Sequence, residues 1–115
     1  MQASKTMTIE VSEIVDGRHP ALIIRKEAVK GKGQIVPGQI LAIKDGKVLP
    51  YVKGDSTAGT AFGVATTPAD TAQGKDDGVN VLVHGTCRAA LVVTGSGVAD
   101  QADLDALALR GVWAF

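Results

Sequence analysis

Only four aromatic side chains, Tyr51, Phe62, Trp113 and Phe115, occur in 115 residues that include 14 glycines. Whatever core this chain builds must be filled by Val, Ile, Leu and Ala, and β-branched residues pack best on a pleated sheet. The same scarcity excludes the stacked aromatic platforms that hold single-stranded nucleic acid. A chain of this length supplies one domain, burying about 65% of its unfolded surface. With 45% hydrophobic and 21% charged residues it falls among globular chains rather than disordered ones.

The hydrophobic pattern changes along the chain. Thr8, Ile9, Glu10, Val11, Ser12 and Glu13 alternate apolar and polar, the period of a strand, and Ile14 and Val15 extend the run. A turn at Asp16-Gly17-Arg18 and an extended His19-Pro20 lead to the apolar run Ala21-Leu22-Ile23-Ile24, then to the basic Lys30-Gly31-Lys32-Gly33. Residues 1–35 are therefore expected to form an extended N-terminal arm, whose unpaired backbone groups need a partner such as the edge of another sheet. Whether residues 20–35 belong to the arm or to the body is open from the pattern alone.

The body is expected over residues 36–115. Gln39-Ile40-Leu41-Ala42-Ile43 and Val48-Leu49-Pro50-Tyr51-Val52 flank an Asp45-Gly46 hairpin turn, with Pro50 placing the second strand at an edge or a bulge. Further strands are expected at residues 61–65, 79–84, 87–93 and 112–115, with a turn at Gly85-Thr86. One helix is clear: Asp100 as N-cap, Asp103 in the first turn, Leu104, Leu107 and Ala108 on one face, and Gly111 closing it. The expected fold is mainly β, or β-rich α+β: a small barrel-like or sandwich-like domain with one short C-terminal helix and an extended arm.

Chemical motifs are sparse. The loop Gly54-Asp55-Ser56-Thr57-Ala58-Gly59 has phosphate-loop spacing but is followed by Thr60 where the lysine belongs. Cys87 is the only cysteine, which excludes an internal disulfide and a cysteine zinc site. His84 stands three residues before it, an odd separation that puts the two side chains on opposite faces of a strand. A buried structural thiol is the commoner outcome. His19 and His84 are too few for a metal centre. Asp76-Asp77 and Asp100, Asp103 and Asp105 read as solvated surface, the second group serving as helix cap. No catalytic residue, metal or cofactor is expected. No apolar run approaches the roughly 18 residues of a membrane span, and no signal-peptide pattern opens the chain. Residues 1–53 hold nine Lys/Arg and five Asp/Glu, and residues 54–115 hold three and seven, so the halves carry +4 and −4. Opposite halves suit head-to-tail contact and not a uniformly basic DNA-binding or membrane-binding face.

In their order and spacing, Pro37-Gly38-Gln39-Ile40-Leu41-Ala42, the segment from Asp55 through Thr60 to Ala65, the strand at 79–83, Gly85-Thr86-Cys87-Arg88 and the late helix before a terminal apolar strand form a recognisable series. From residue 36 to 115 the chain resembles the head decoration, or capsid-cementing, proteins of lambda-like tailed bacteriophages. The resemblance implies a non-enzymatic protein, made in the bacterial cytoplasm, that sits on the outer surface of the virion. It implies a homotrimer at threefold sites of the expanded head, where it stabilises the shell against DNA pressure without touching nucleic acid. It also implies that the arm, Thr8 to Val15, adds a strand to the major capsid protein. Trp113 and Phe115 are candidate trimer contacts or core residues. Removing residues 1–18 is then expected to leave a folded domain that no longer binds heads. The alternatives are a tail, fibre or baseplate module, a small enzyme using Cys87 and His84, and a carrier domain with Lys47 at its hairpin tip.

Overall fold

A computed structural model describes residues 14–52, 59–75, 77–95 and 97–115. Ten strands are present in them: β1 (Leu22–Glu27), β2 (Gln34–Ile35), β3 (Ile40–Lys44), β4 (Lys47–Pro50), β5 (Thr60–Ala65), β6 (Ala69–Asp70), β7 (Gly78–Cys87), β8 (Val93–Thr94), β9 (Gly97–Val98) and β10 (Val112–Ala114). One helix, α1 (Gln101–Ala108), precedes β10. The fold is mainly β, a curled half-barrel sheet with a short helix near the C-terminus.

The main sheet runs β1-β7-β5-β3-β4, with β10 also paired to β7. β7 is its axis. On one side it pairs antiparallel with β1, from Glu27 opposite Gly78 to Leu22 opposite His84, and Val15 pairs with Cys87 beyond that. On the other side Val81 and Leu82 face Ala65 and Val64 of β5, and Gly85, Thr86 and Cys87 face Val112, Trp113 and Ala114 of β10 in parallel.

Both faces of β3 and β5 are buried, which is why residues 40–43 and 61–65 are continuously apolar instead of alternating. One face gathers Ile14, Ile40, Val64, Leu82, Cys87, Val92, Leu107 and Val112 beneath α1. The other gathers Ala28, Ile35, Leu41, Val48, Ala65, Ala69, Val79 and Val81. Neighbours such as Ile40 and Leu41, or Leu82 and Val81, thus serve opposite cores. No aromatic residue is among the buried hydrophobic residues, so the core is aliphatic as its composition requires.

Local chemistry sets the ends of the elements. The β3–β4 hairpin turns on Asp45 (φ 52°) and Gly46 (φ 81°), two consecutive left-handed residues that match the twist of the strands. Pro50 ends β4, which is an edge strand where a missing N–H is harmless. α1 opens with a reciprocal cap: the Asp100 carboxylate accepts from the Asp103 N–H at 3.0 Å, and the Asp103 carboxylate accepts from the Asp100 N–H at 3.0 Å.

Three expectations are corrected. First, the boundary at residue 36 cuts through the folded body. β1 is a sheet strand, and Ala28 and Ile35 are fully buried. Ile14 is also buried at 4% exposure, and the Arg88 N–H donates to its carbonyl at 2.9 Å, so the body begins at residue 14 at the latest. Losing a buried isoleucine costs about 2–5 kcal/mol, so removing residues 1–18 would damage the core. Second, Gly85 is not a turn. β7 runs through it at φ 127°, and a Cβ there would meet the Ala21 Cα at 3.2 Å. The glycine admits the returning chain of Pro20 and Ala21. Third, the stretch expected as a strand after Cys87 is a short 3-10 turn, Ala89–Leu91, followed by β8.

Replacing Gly85 by Ala combines a backbone conformation foreign to L-residues with a close approach, and is expected to lower stability by about 1–3 kcal/mol. Urea unfolding of Gly85→Ala beside the unmodified chain measures this.

Candidate functional site

The C-terminal half of β7 brings together the two features singled out in the sequence, the arm and the terminal aromatics. Of the eight arm residues, Thr8, Ile9, Glu10, Val11, Ser12 and Glu13 lie outside the described residues. Ile14 and Val15 are the root of the arm and belong to the body: Ile14 packs in the helix-side core and Val15 pairs with Cys87. The next residue ties the root down further. The Asp16 carboxylate accepts a short hydrogen bond from the Thr86 hydroxyl and a bond from the Arg18 N–H, and lies 3.0 Å from the Arg18 guanidinium. The Asp16 N–H donates to the Thr86 carbonyl at 3.2 Å.

Trp113 and Phe115 stand two residues apart, on the face of β10 opposite Val112 and Ala114, which face the helix-side core. Trp113 is 37% exposed and Phe115 58% exposed. Neither is a core residue. Trp113 packs edge-on against His84 at 5.4 Å and His19 at 5.7 Å between ring centres. The two histidines share a hydrogen bond, Nε2 to Nε2, at 2.9 Å. Such a bond requires one ring to donate and the other to accept. Arg18 lies over the Phe115 ring at 4.4 Å. The root segment 14–20 and β10 thus clasp the end of β7 from its two sides. His19, His84 and Arg18 carried no signal toward this cluster, because its members come from three separate stretches of the sequence, His19 and His84 standing 65 positions apart.

Cys87 and His84 are not paired. Cys87 is fully buried among Leu107 and Val112 on the helix side, while His84 points to His19 and Trp113. Burial, and secondarily the negative charge of Asp16, pushes the thiol up to about 11 from its ordinary 9.0. Hydrogen bonds from the Thr86 hydroxyl and then the Arg18 N–H hold Asp16 below the usual carboxylate range. Asp103 departs from the solvated surface expected of it, being only 5% exposed. Among the described residues no group of three or more His, Cys, Asp or Glu side chains is placed to share a metal ion, and no helix is long and apolar enough to cross a membrane.

No protein-family model matches the chain, and no curated protein matches it.

Two pH responses follow with opposite signs. A raised thiol pKa stabilises the fold below about pH 9, and that contribution is lost as pH rises toward about 11. At pH 8 the native thiol is expected to react with a disulfide reagent about a hundredfold more slowly than in the unfolded chain, from its thiolate fraction alone. A native rate equal to the unfolded one would show an accessible thiol. A lowered Asp16 pKa gives stability that is present above the ordinary value of 3.8 and lost as pH falls through the folded value. Asp16→Asn is therefore expected to flatten the acid limb of the stability profile below about pH 4, measured by chemical unfolding at stepped pH.

Proposed function

We propose that the chain is a non-enzymatic capsid decoration protein that docks on an expanded phage head through its N-terminal residues. In this reading it assembles as a homotrimer at threefold sites on the outer surface of the virion. It binds the major capsid protein, and neither nucleic acid nor membrane. The resemblance of residues 36–115 supplies the family. The observation that carries the docking role is the root of the arm. Ile14 and Val15, which directly follow the strand-patterned residues 8–13 in the sequence, are fastened to the end of β7. Force applied to a docked arm would pass directly into the longest strand of the main sheet.

Strand addition suits cementing because its backbone hydrogen bonds, worth about 0.5–1.5 kcal/mol each, are nearly independent of side chain. Three arms on one assembly raise the effective concentration of each, so contacts that are weak singly persist together. Trp113 and Phe115 remain the candidate trimer contacts. Their partial exposure beside the arm root supports that role.

The test uses heads expanded but lacking decoration, with full-length chain and a fragment of residues 14–115. The fragment keeps Ile14 and is expected to unfold at the same temperature within a few degrees. Full-length chain is expected to co-sediment saturably, with density at threefold positions, and the fragment to lose at least about tenfold in affinity, which is 1.4 kcal/mol. Equal binding by both would move the contact onto the body. Binding by neither to a matched head would favour a tail or baseplate module.

A further inference from the structure

Nearly every buried polar side-chain atom in the described structure has a partner. Thr71 donates to the Gly33 carbonyl and accepts from the Lys32 N–H, each at 2.7 Å, and the Gln39 side-chain oxygen accepts from the Val36 N–H at 3.1 Å. The exception among the described residues is one carboxylate oxygen of Asp103. Its Oδ2 accepts from the Asp100 N–H, but its enclosed Oδ1 has no hydrogen-bond partner. A buried carboxylate oxygen left unpaired is costly, and because this one is closed to solvent, a cation held nearby answers the charge of the Asp103 carboxylate without bonding to Oδ1.

Asp103 lines a cleft of about 230 Å³ with Tyr51, Val52, Thr94, Gly95, Val98 and Asp100. Tyr51, Val52 and Val98 supply its apolar lining, and Asp100 and Asp103 its acidic groups. The start of α1 contributes a partial charge of about +0.5, which the two carboxylates outweigh. A cleft lined by both apolar and acidic residues fits an amphipathic cation, and lysine is the side chain of that shape.

We infer that this cleft receives the β3–β4 hairpin tip of a second copy of the chain, through Lys44 or Lys47. Both lysines are exposed and flank the Asp45-Gly46 turn. The basic excess of the first half and the acidic excess of the second supply the complementarity. The tip and the cleft also lie at opposite ends of one hairpin. Tyr51 follows β4 at the end away from the turn, its N–H donating to the Ile40 carbonyl, and Gln39 bridges to Val93 beside the cleft. A tip that cannot reach its own cleft engages the next copy head-to-tail, and such contacts close into a ring when the rotation permits. The inference rests on the ring assembly of the proposed function but needs no shell for its test.

Two full-length variants separate the halves of the contact. Lys44→Glu with Lys47→Glu removes the tip and keeps the cleft. Val98→Lys, at a position 73% exposed, keeps the tip and places a competing cation at the cleft mouth. Isotope-labelled Lys44→Glu/Lys47→Glu protein is titrated with unlabelled Val98→Lys protein, or with the unmodified chain, to millimolar concentration. Saturable amide shifts at Thr94, Gly95, Val98 and Asp103 are expected, and none when the titrant is unlabelled Lys44→Glu/Lys47→Glu protein. Absence of cleft shifts, shifts centred elsewhere, or equal shifts with the tipless titrant would overturn the inference. Shell binding with no cleft shifts removes the inference alone, and cleft shifts without shell binding remove the decoration reading alone.

Discussion

The pairing of β7 on both its edges is the constraint on which the rest of the structure depends. Ten residues carry β1 and the arm root along one side and β5 and then β10 along the other. An aliphatic core with no large rings gains little per residue, so it must be thin, continuous and covered on both faces. A central strand buried twice over, with Val79 and Val81 to one side and Leu82 and Cys87 to the other, is the arrangement that does this. Gly85 belongs to that geometry, because its φ of 127° is one that L side chains rarely adopt and a Cβ there would crowd Ala21 and the Pro20 carbonyl at 3.2 and 3.3 Å.

The same arrangement explains how the two termini come to act together. The segment leading out of the arm and the last strand of the chain flank one short stretch of β7, so Arg18, His19, Trp113 and Phe115 become neighbours although they stand at opposite ends of the sequence. A load taken by the arm root is shared with β10 through ladder hydrogen bonds along strands, instead of being borne by side-chain packing at a loop. That is the mechanical property the proposed shell-reinforcing role calls for.

Local features of the fold were legible in the sequence. The aliphatic core followed from four aromatics, the β3–β4 turn from Asp45-Gly46, the edge position of β4 from Pro50, and the helix cap from Asp100 and Asp103. What was not legible depends on distant partners. The apolar run that becomes β1 left open whether it belongs to arm or body, because as an edge strand it buries little and its partner β7 lies more than 50 residues away. Gly85 reads as a turn because sequence shows a glycine and not the chain that crosses it. Of the candidate site, Trp113 and Phe115 stood out as rare residues, whereas the histidine pair beside them did not. Asp103 was recognised as a cap, and its second, unpaired oxygen has no signature in sequence at all.

The central claim is that residues 8–13 engage the shell while the root beside them stays fixed on β7. Hydrogen exchange of the full-length chain, free and bound to expanded heads, tests it most directly. Slowed exchange at residues 8–13 on binding, with residues 78–87 equally slow in both states, is the predicted result. Unchanged exchange at residues 8–13, with new protection confined to the body, would contradict it.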